Sequence, residues 1–379
     1  MAIGEVLYQG EVAYERAVFI GNLLYRLTTP YAVVLPRNVS EIQQIVKYCF
    51  TNKVRLTVKN GGGHSYAGYC LNDEGIVLDM SAMKEVQIND QGTIVSIQGE
   101  ATWVDAYATL VGNNAANILI GGQCPSVGVS GFTLGGGLSP FSRSYGLGVD
   151  NVIQMRMVTA TGDLVTVSSH DTDPKKQDLF WALRGGGGGN YGVLVDFTST
   201  MHKLNNPTGL TTAEELTWTF PDEEQHFKDM MKYWNTHTWQ NALTIDIIVR
   251  WVDGKMLGQM TVIYNGRYDE CMKVVAPLLK FGKVDNGLKE MPWSGWVKSE
   301  EGFEDDSKVY HHHASVIVAE GGINEKVTEL IVSFVTGKES HTFAHDPGMC
   351  SILWDHIGGK TEDVSPTSTA FYWRKGVAL

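Results

Sequence analysis

Three glycine-rich segments lie between residues 59 and 192, and they narrow the possible folds more than any other feature. The first is Lys59-Asn60-Gly61-Gly62-Gly63-His64-Ser65-Tyr66-Ala67-Gly68. The second runs from Gly121 to Leu138, and the third from Gly185 to Gly192. The chain has 42 glycines and only 11 prolines in 379 residues, with no G-x-y repeat. The excess is therefore neither collagen-like nor linker and sits in particular loops. Glycine lets backbone N–H groups turn toward a ligand with no side chain in the way, and such concave nests hold phosphate oxygens. Tight turns between packed strands account for one such loop. They account poorly for three together, with a histidine and a cysteine inside them. Gly187-Gly188-Gly189-Asn190-Tyr191-Gly192 fits G-x-G-x-x-G, but a helical pattern precedes it and a strand pattern follows. The dinucleotide fingerprint needs the reverse order, so a nicotinamide site is rejected.

Length and charge bound the rest. A chain of 379 residues has a prior of two domains. Hydrophobic residues make up 43% and charged residues 19%, enough apolar content for a sizeable core. The formal charge of −12 repels phosphate backbones and anionic lipid, so neither nucleic acid nor a membrane surface is expected as a partner. No apolar run approaches the roughly 20 residues of a membrane span, and Met1 to Gly10 carries no signal-peptide pattern. Cys49, Cys70, Cys124, Cys271 and Cys350 are odd in number and widely spaced. That excludes a disulfide scaffold or structural zinc site and leaves the compartment open.

Periodicity places the motifs. Asn38 to Asn52 reads as a helix, with Asn38 and Glu41 as a capping box and Ile42, Ile45, Val46, Cys49 and Phe50 along one face. Val54 to Val58 reads as a strand leading into the first loop, and Trp103 to Val111 as a helix. Asn151 to Thr159 and Leu164 to Ser168 form a hairpin about Thr161-Gly162-Asp163. Asp178 to Leu183 is helical, and Tyr191 to Phe197 is a strand. After Asn206-Pro207 glycine thins out. Helices are expected at Glu224 to Asn235, Asp269 to Phe281 and Asn324 to Val335. Strands are expected at Ile245 to Val252 and Met256 to Tyr264 about an Asp253-Gly254 turn, and at Tyr310 to Ala319 and Met349 to His356. A boundary near residue 206 divides two α+β units, 1–206 and 207–379.

Val58 to Gly68 (VKNGGGHSYAG), Gly122 to Asn151 (GQCPSVGVSGFTLGGGLSPFSRSYGLGVDN) and Asp178 to Gly192 (DLFWALRGGGGGNYG) carry a resemblance. The chain resembles the berberine bridge enzyme-like FAD-linked oxidases of the vanillyl-alcohol oxidase, or PCMH-type FAD-binding, superfamily, with a fungal texture. The likeness extends more loosely through Val309 to Ser315 and Thr369 to Arg374. It implies an α+β fold. Residues 1–206 would form a PCMH-type FAD-binding domain of two small subdomains with the cofactor between them. Residues 207–379 would form a substrate domain, an antiparallel sheet backed by helices. It implies FAD held bicovalently, His64 on the flavin 8α-carbon and Cys124 on C6. Gly61, Gly62, Gly63, Ser65 and Gly68 would cradle the pyrophosphate or flavin edge. Ser126, Val127, Gly128, Gly131, Gly135, Gly136, Gly137 and Leu138 would line the cofactor through backbone contacts, and Asn190, Gly192 and Val193 would complete it.

The resemblance implies oxidation of a sugar, or of a secondary-metabolite alcohol or amine, by hydride transfer to flavin N5 with O2 as acceptor. The alternatives are a non-redox, cyclisation-type flavoprotein and an inactive binding-only protein. Two departures stand out. Three glycines precede His64 where the family pattern has two, and family members continue past the segment matching Thr369 to Arg374. A face left uncovered there would invite homodimerisation. Tyr310, Asp246 and Tyr372 are expected on substrate-domain strands; Tyr310 and Tyr372 are the candidate catalytic residues. His311-His312-His313, and His341 with His345, are weak metal patterns, and no metal site is expected. No G-x-S-x-G elbow is present.

Overall fold

The computed structural model describes residues 3–60, 67–299, 314–319, 321–336 and 351–378. Gly61, Gly62, Gly63, His64, Ser65, Tyr310, the triplet His311–His313, His341 and His345 lie outside these residues.

Among the described residues three larger sheets organise the chain, beside a two-stranded pair of Asn117–Ile118 with His202–Lys203. The first has four strands in the order Glu5–Tyr8, Ala32–Leu35, Ile76–Asp79, Leu56–Lys59. Its last three strands are mutually parallel, and helix Val39–Asn52 makes the crossover. Asn38 caps that helix by accepting from Glu41 N–H at 3.1 Å. The expected reciprocal bond is replaced, because the Glu41 carboxylate accepts from Arg37 N–H and its guanidinium instead. Ile42, Ile45, Val46 and Cys49 bury one helix face against Val34, Ile76 and Leu78. Each such side chain is worth about 1.5–3 kcal/mol when fully buried.

The second sheet is antiparallel, in the order Val86–Ile88, Ile94–Gln98, Val193–Thr200, Val152–Val158, Leu164–Ser168. Its Val158, Val193 and Val195 enter the same core as helix Val39–Asn52, so this helix is the shared wall between two small sheets. The hairpin at Thr161-Gly162-Asp163 forms as the alternation predicts. Helices Trp103–Asn113, Val129–Leu134 and Pro174–Leu183 bury Trp103, Leu110, Leu134 and Phe180 on the other side. The strand expected from Tyr191 begins at Val193, because Gly192 holds a left-handed φ of +140°.

The third sheet has eight strands among the described residues, all antiparallel. Its centre is Leu210–Thr219, Lys255–Tyr264, Leu243–Val252 and Ser351–Ile357. Helices Glu224–Thr236, Tyr268–Val275 and Glu325–Val335 back one face through Phe227, Met230, Trp234, Cys271 and Val332. The helix expected to reach Phe281 stops at Val275, and a 3-10 turn follows Pro277, because proline offers no donor to an α-helical turn. Tyr372 lies on no strand: it belongs to an irregular segment after Asp363. No helix among the described residues is long and apolar enough to cross a membrane.

Candidate cofactor site

A cavity of about 1120 Å³ opens between the first two sheets beside their shared helix. It exceeds the roughly 300–1,000 Å³ of ordinary small-molecule pockets. Helix Val39–Asn52 supplies Cys49 to its wall, strand Leu56–Lys59 supplies Val58, and Asn60 follows at the entry to the first glycine loop. The second loop contributes Gly131 and the third Asn190, with Gly192 and Val193 at the head of the next strand.

The glycines fall into two physical classes. Gly192 is demanded by the fold: a Cβ there would lie 2.3 Å from Val158 O. Gly131 is different. It sits inside helix Val129–Leu134, where glycine costs about 0.5–1 kcal/mol relative to alanine, yet a Cβ would meet nothing within 4 Å. The missing side chain at Gly131 leaves space the protein itself does not fill. Asn60 points the same way, since its amide donates to Gly99 O at 3.1 Å while its buried Oδ1 has no protein partner. A wall of exposed backbone, an unfilled helical glycine and an unmatched amide oxygen fit a large polar cofactor.

The second loop is held from behind by helix Trp103–Asn113. A Cβ on Gly121 would strike the Trp103 indole at 2.5 Å, and one on Gly122 would approach it at 3.1 Å. The Tyr107 hydroxyl donates to Gly122 O at 2.7 Å. Backbone bonds fix the turn that follows: Val127 N–H to Cys124 O, Val104 N–H to Pro125 O and Trp103 N–H to Val127 O. Cys124 is half-buried on this turn. The Tyr107 phenol is pushed well up by burial and then by the charge of the neighbouring Cys124, so Tyr107 is a neutral donor across the physiological range.

Gly131, Asn190, Gly192 and Val193 thus meet at one cavity. Cys124, Ser126, Val127, Gly128, Gly135, Gly136, Gly137, Leu138 and Gly68 do not line it. The second loop runs from the Trp103 platform to a contact between Gly137 and Gly148, closed by Gly148 N–H to Gly137 O at 2.8 Å. Gly68 holds φ +66° with its missing Cβ 2.5 Å from the Tyr25 ring.

The sequence does not foreshadow Phe371. Its ring lies 2.4 Å from where a Cβ on Gly136 would be, and its own Cβ lies 2.4 Å from where one on Gly185 would be. The segment around it is pinned by Trp181 Nε1 to Thr367 O (2.8 Å), Arg184 to Ser368 O (2.9 Å) and a paired Arg374–Asp150 contact (2.7 Å). The second and third glycine loops are therefore joined by a strap from the far end of the chain. Tyr372, next in sequence, is exposed and packs edge-on to Trp373. Among the described residues no group of three or more His, Cys, Asp or Glu side chains is placed to hold a metal.

A family model described as an FAD binding domain matches residues 30–168, which include the first two glycine loops. An uncharacterized FAD-linked oxidoreductase of Bacillus subtilis is 28% identical over 92% of this chain and 73% of its own. The xylooligosaccharide oxidase of Thermothelomyces thermophilus is 28% identical over 81% of this chain and 58% of its own. The solved BBE-like 1 protein of Physcomitrella patens superposes with a TM-score of 0.83 over 99% of this chain and 80% of that one, at 21% identity, which establishes the shared fold. The chain spans between 28% and 73% of the length of curated relatives it matches. With its glycine loops and cavity, the chain carries an FAD binding domain over residues 30–168, is similar in sequence to FAD-linked oxidoreductases and shares the fold of berberine bridge enzyme-like proteins.

Proposed function

We propose that this chain is an FAD-dependent oxidase that oxidises a sugar or a secondary-metabolite alcohol or amine, with O2 as the final acceptor and hydrogen peroxide as co-product. Residues 1–206 are the cofactor domain and residues 207–379 the substrate domain. The observation that carries the cofactor reading is the cavity wall at Gly131, where a helical glycine is kept although neither packing nor backbone conformation requires it. The oxidase part draws support from relatives named as oxidases, among them the xylooligosaccharide oxidase.

When bound, FAD accepts a hydride equivalent from the substrate carbon and passes the electrons on to oxygen. The remaining work falls to the chain. The backbone of Gly131, Gly192 and Val193 would lie along the cofactor, with Asn60 and Asn190 as side-chain partners. His64 and Cys124 are the tethers. A thiol on a turn held by three backbone bonds is presented to its partner atom with little freedom left to lose. Two covalent bonds would keep the cofactor in place while the opposite face stays open to a bulky substrate.

The experiment is an absorbance spectrum with an intact mass. The protein should be yellow, and its mass should exceed that of the polypeptide by one FAD after acid precipitation. Cys124→Ala and His64→Ala should each leave flavin attached by a single bond with an altered spectrum. The double variant should release flavin on denaturation. A colourless protein unable to take up flavin sinks the reading, and an unchanged spectrum in either single variant removes that residue as a tether.

A further inference from the structure

One helix holds the turn around Cys124, and it does so at three points. Helix Trp103–Asn113 opens with N–H groups that have no partner inside the helix. Two of them go to the turn: Trp103 N–H donates to Val127 O at 3.1 Å and Val104 N–H to Pro125 O at 2.9 Å. These bonds fix the chain downstream of the cysteine. The hold on the upstream side comes from one turn further along the helix. Trp103 and Tyr107 are four residues apart and share a face, and their rings stack at 5.5 Å and 23°. The indole lies under Gly121 and Gly122, and the Tyr107 hydroxyl donates to Gly122 O at 2.7 Å. Gln123, between Gly122 and Cys124, adds no tie through its Oε1, which is buried and unpartnered.

Tyr107 is itself backed by a residue from beyond residue 206. Trp293 heads helix Trp293–Ser299 and is buried. Its ring meets the Tyr107 ring edge-on, with centroids 4.7 Å apart at 78°. Its Nε1 donates to Ala115 O at 3.2 Å, just past the end of the helix that carries Tyr107. Trp293 N–H donates in turn to Gly209 O. The phenol ring is thus held between two indoles, one stacked and one edge-on, which leaves it little room to turn. The direction of its hydroxyl toward Gly122 is set by packing from both parts of the chain.

The phenol is suited to hold rather than to react. Burial, and then the charge of Cys124 beside it, push its pKa well up. It stays protonated, and with its one hydrogen on Gly122 O it neither gives nor takes the thiol proton. What it controls is geometry. Gly122 is buried and lies two residues before Cys124. Without the hydroxyl, Gly122 O is a buried acceptor with its donor gone. The chain relieves this by turning toward water, and it carries the half-buried Cys124 along.

We propose that Tyr107, backed by Trp293, is the positioning residue for the Cys124 tether: through Gly122 it sets the sulfur for bond formation to the flavin, so the link closes only when residues 207–379 are packed on this helix. The inference rests on the flavoprotein reading above. Forming the link replaces the hydrogen at flavin C6 by sulfur. The thiolate supplies the electron pair of the new S–C bond, and the C6 hydrogen departs as a proton. The two electrons gained by the ring pass to O2, which leaves as hydrogen peroxide. No step in that sequence needs a proton from Tyr107. Its part is orientation, and a misplacement of about 1 Å at reacting atoms can cost about 10²-fold in rate.

Tyr107→Phe keeps the ring and removes only the hydroxyl. Flavin-free protein is mixed with FAD in air, and the mass of the Cys124 peptide is followed in time. Tyr107→Phe should still take up FAD and should form the Cys124 link about 10–10²-fold more slowly than native. Without flavin, the same variant should be alkylated at Cys124 by iodoacetamide several-fold faster, because the loosened turn exposes the thiol. A slower bond to flavin from a more accessible thiol marks lost orientation. Val95→Ala, which opens space in the same core on strand Ile94–Gln98, is the control for lost stability and should link at the native rate. Trp293→Leu removes the ring behind the phenol and should slow the link as Tyr107→Phe does. The inference is overturned by a native link rate in Tyr107→Phe or in Trp293→Leu, by alkylation that Tyr107→Phe leaves unchanged, or by a Val95→Ala variant as slow as Tyr107→Phe. A native protein that takes up no flavin, or holds it with no bond to Cys124, fails the tether reading and this inference with it. A native protein that forms the bond while Tyr107→Phe forms it equally fast fails this inference alone.

Discussion

Gly131 and Gly192 lie on one cavity wall and answer to different forces. Gly192 is fixed by backbone geometry, with φ +140° and a carbonyl oxygen 2.3 Å from the missing Cβ; any side chain there is strained with or without a ligand, by about 1–3 kcal/mol. Gly131 has open space before it and helical geometry behind it. Gly131→Ala should therefore stabilise the flavin-free protein by about 0.5–1 kcal/mol, because alanine loses less entropy in a helix. Gly131→Leu should leave the flavin-free melting temperature near native while cutting flavin uptake at least tenfold, since the side chain enters the cavity. Thermal unfolding of the flavin-free protein and titration with FAD read the two effects separately. If Gly131→Leu binds FAD as the native protein does, the cavity wall at that position is not a cofactor surface. The motif is legible in the sequence, but glycine alone does not tell a residue kept for its φ from one kept for a ligand. That distinction needs the neighbours across the gap.

Elements built from local pattern follow the sequence closely. Helix Val39–Asn52 has its cap and its apolar face within 15 residues of one another. The Asp253-Gly254 turn takes φ values of +49° and +76°, the left-handed pair that a tight hairpin favours. What escapes is non-local. Glu5–Tyr8 and Ala32–Leu35 become strands only because Ile76–Asp79 offers an edge to Ala32–Leu35. The segment ending at Arg374 carries no periodicity and is placed by contacts far away in sequence. That strap is the element-scale dependency of the glycine loops. Arg374 is 4% exposed and reaches Asp150 through a single Nη1 at 2.7 Å from both carboxylate oxygens, while its other terminal nitrogen donates to Thr369. Arg374→Ala leaves a buried carboxylate without its counter-charge and should cost about 3–5 kcal/mol. Arg374→Lys should fall between, because an ammonium does not present the planar fork that serves Asp150 and Thr369 together. Chemical denaturation of the three proteins orders them. A loss below 1 kcal/mol in Arg374→Ala would show that the strap does not hold the loops.

At the scale of the whole molecule, residues 1–206 and 207–379 meet through a shared apolar core and, beside it, a short polar seam, much of it converging on one turn. Arg143 is 5% exposed, and it donates to Leu243 O and Trp239 O at 2.7 and 3.1 Å. Its neighbours continue the seam: Ser144 donates to Asn241 O and Asn265 to the Tyr145 hydroxyl, which itself donates to Lys203 O on its own side of residue 206. Burial lowers the Arg143 guanidinium to about 10, against the opposing pull of Glu362; it stays charged at neutral pH, so the desolvation has to be met by these carbonyls and that carboxylate. Removing the side chain takes the donors from two carbonyls, about 1–3 kcal/mol for each left buried and unmatched, and the loss falls on the contact between the halves rather than on either core. One apolar core lies around Trp218, Phe227 and Trp354, whereas the core around Trp103, Met155 and Phe197 crosses residue 206 and takes in Ala213, Ile263, Trp293 and Trp296. Arg143→Ala removes the polar seam and leaves the shared core, so it should weaken the coupling of the two ranges to the extent that the seam carries it. Calorimetry of the native protein should show one transition with matching calorimetric and van't Hoff enthalpies, and Arg143→Ala should show two transitions or a ratio well above one. A variant that unfolds as a single native-like transition would mean that the shared core of Ala213, Ile263, Trp293 and Trp296, and not the Arg143 seam, holds the two ranges together.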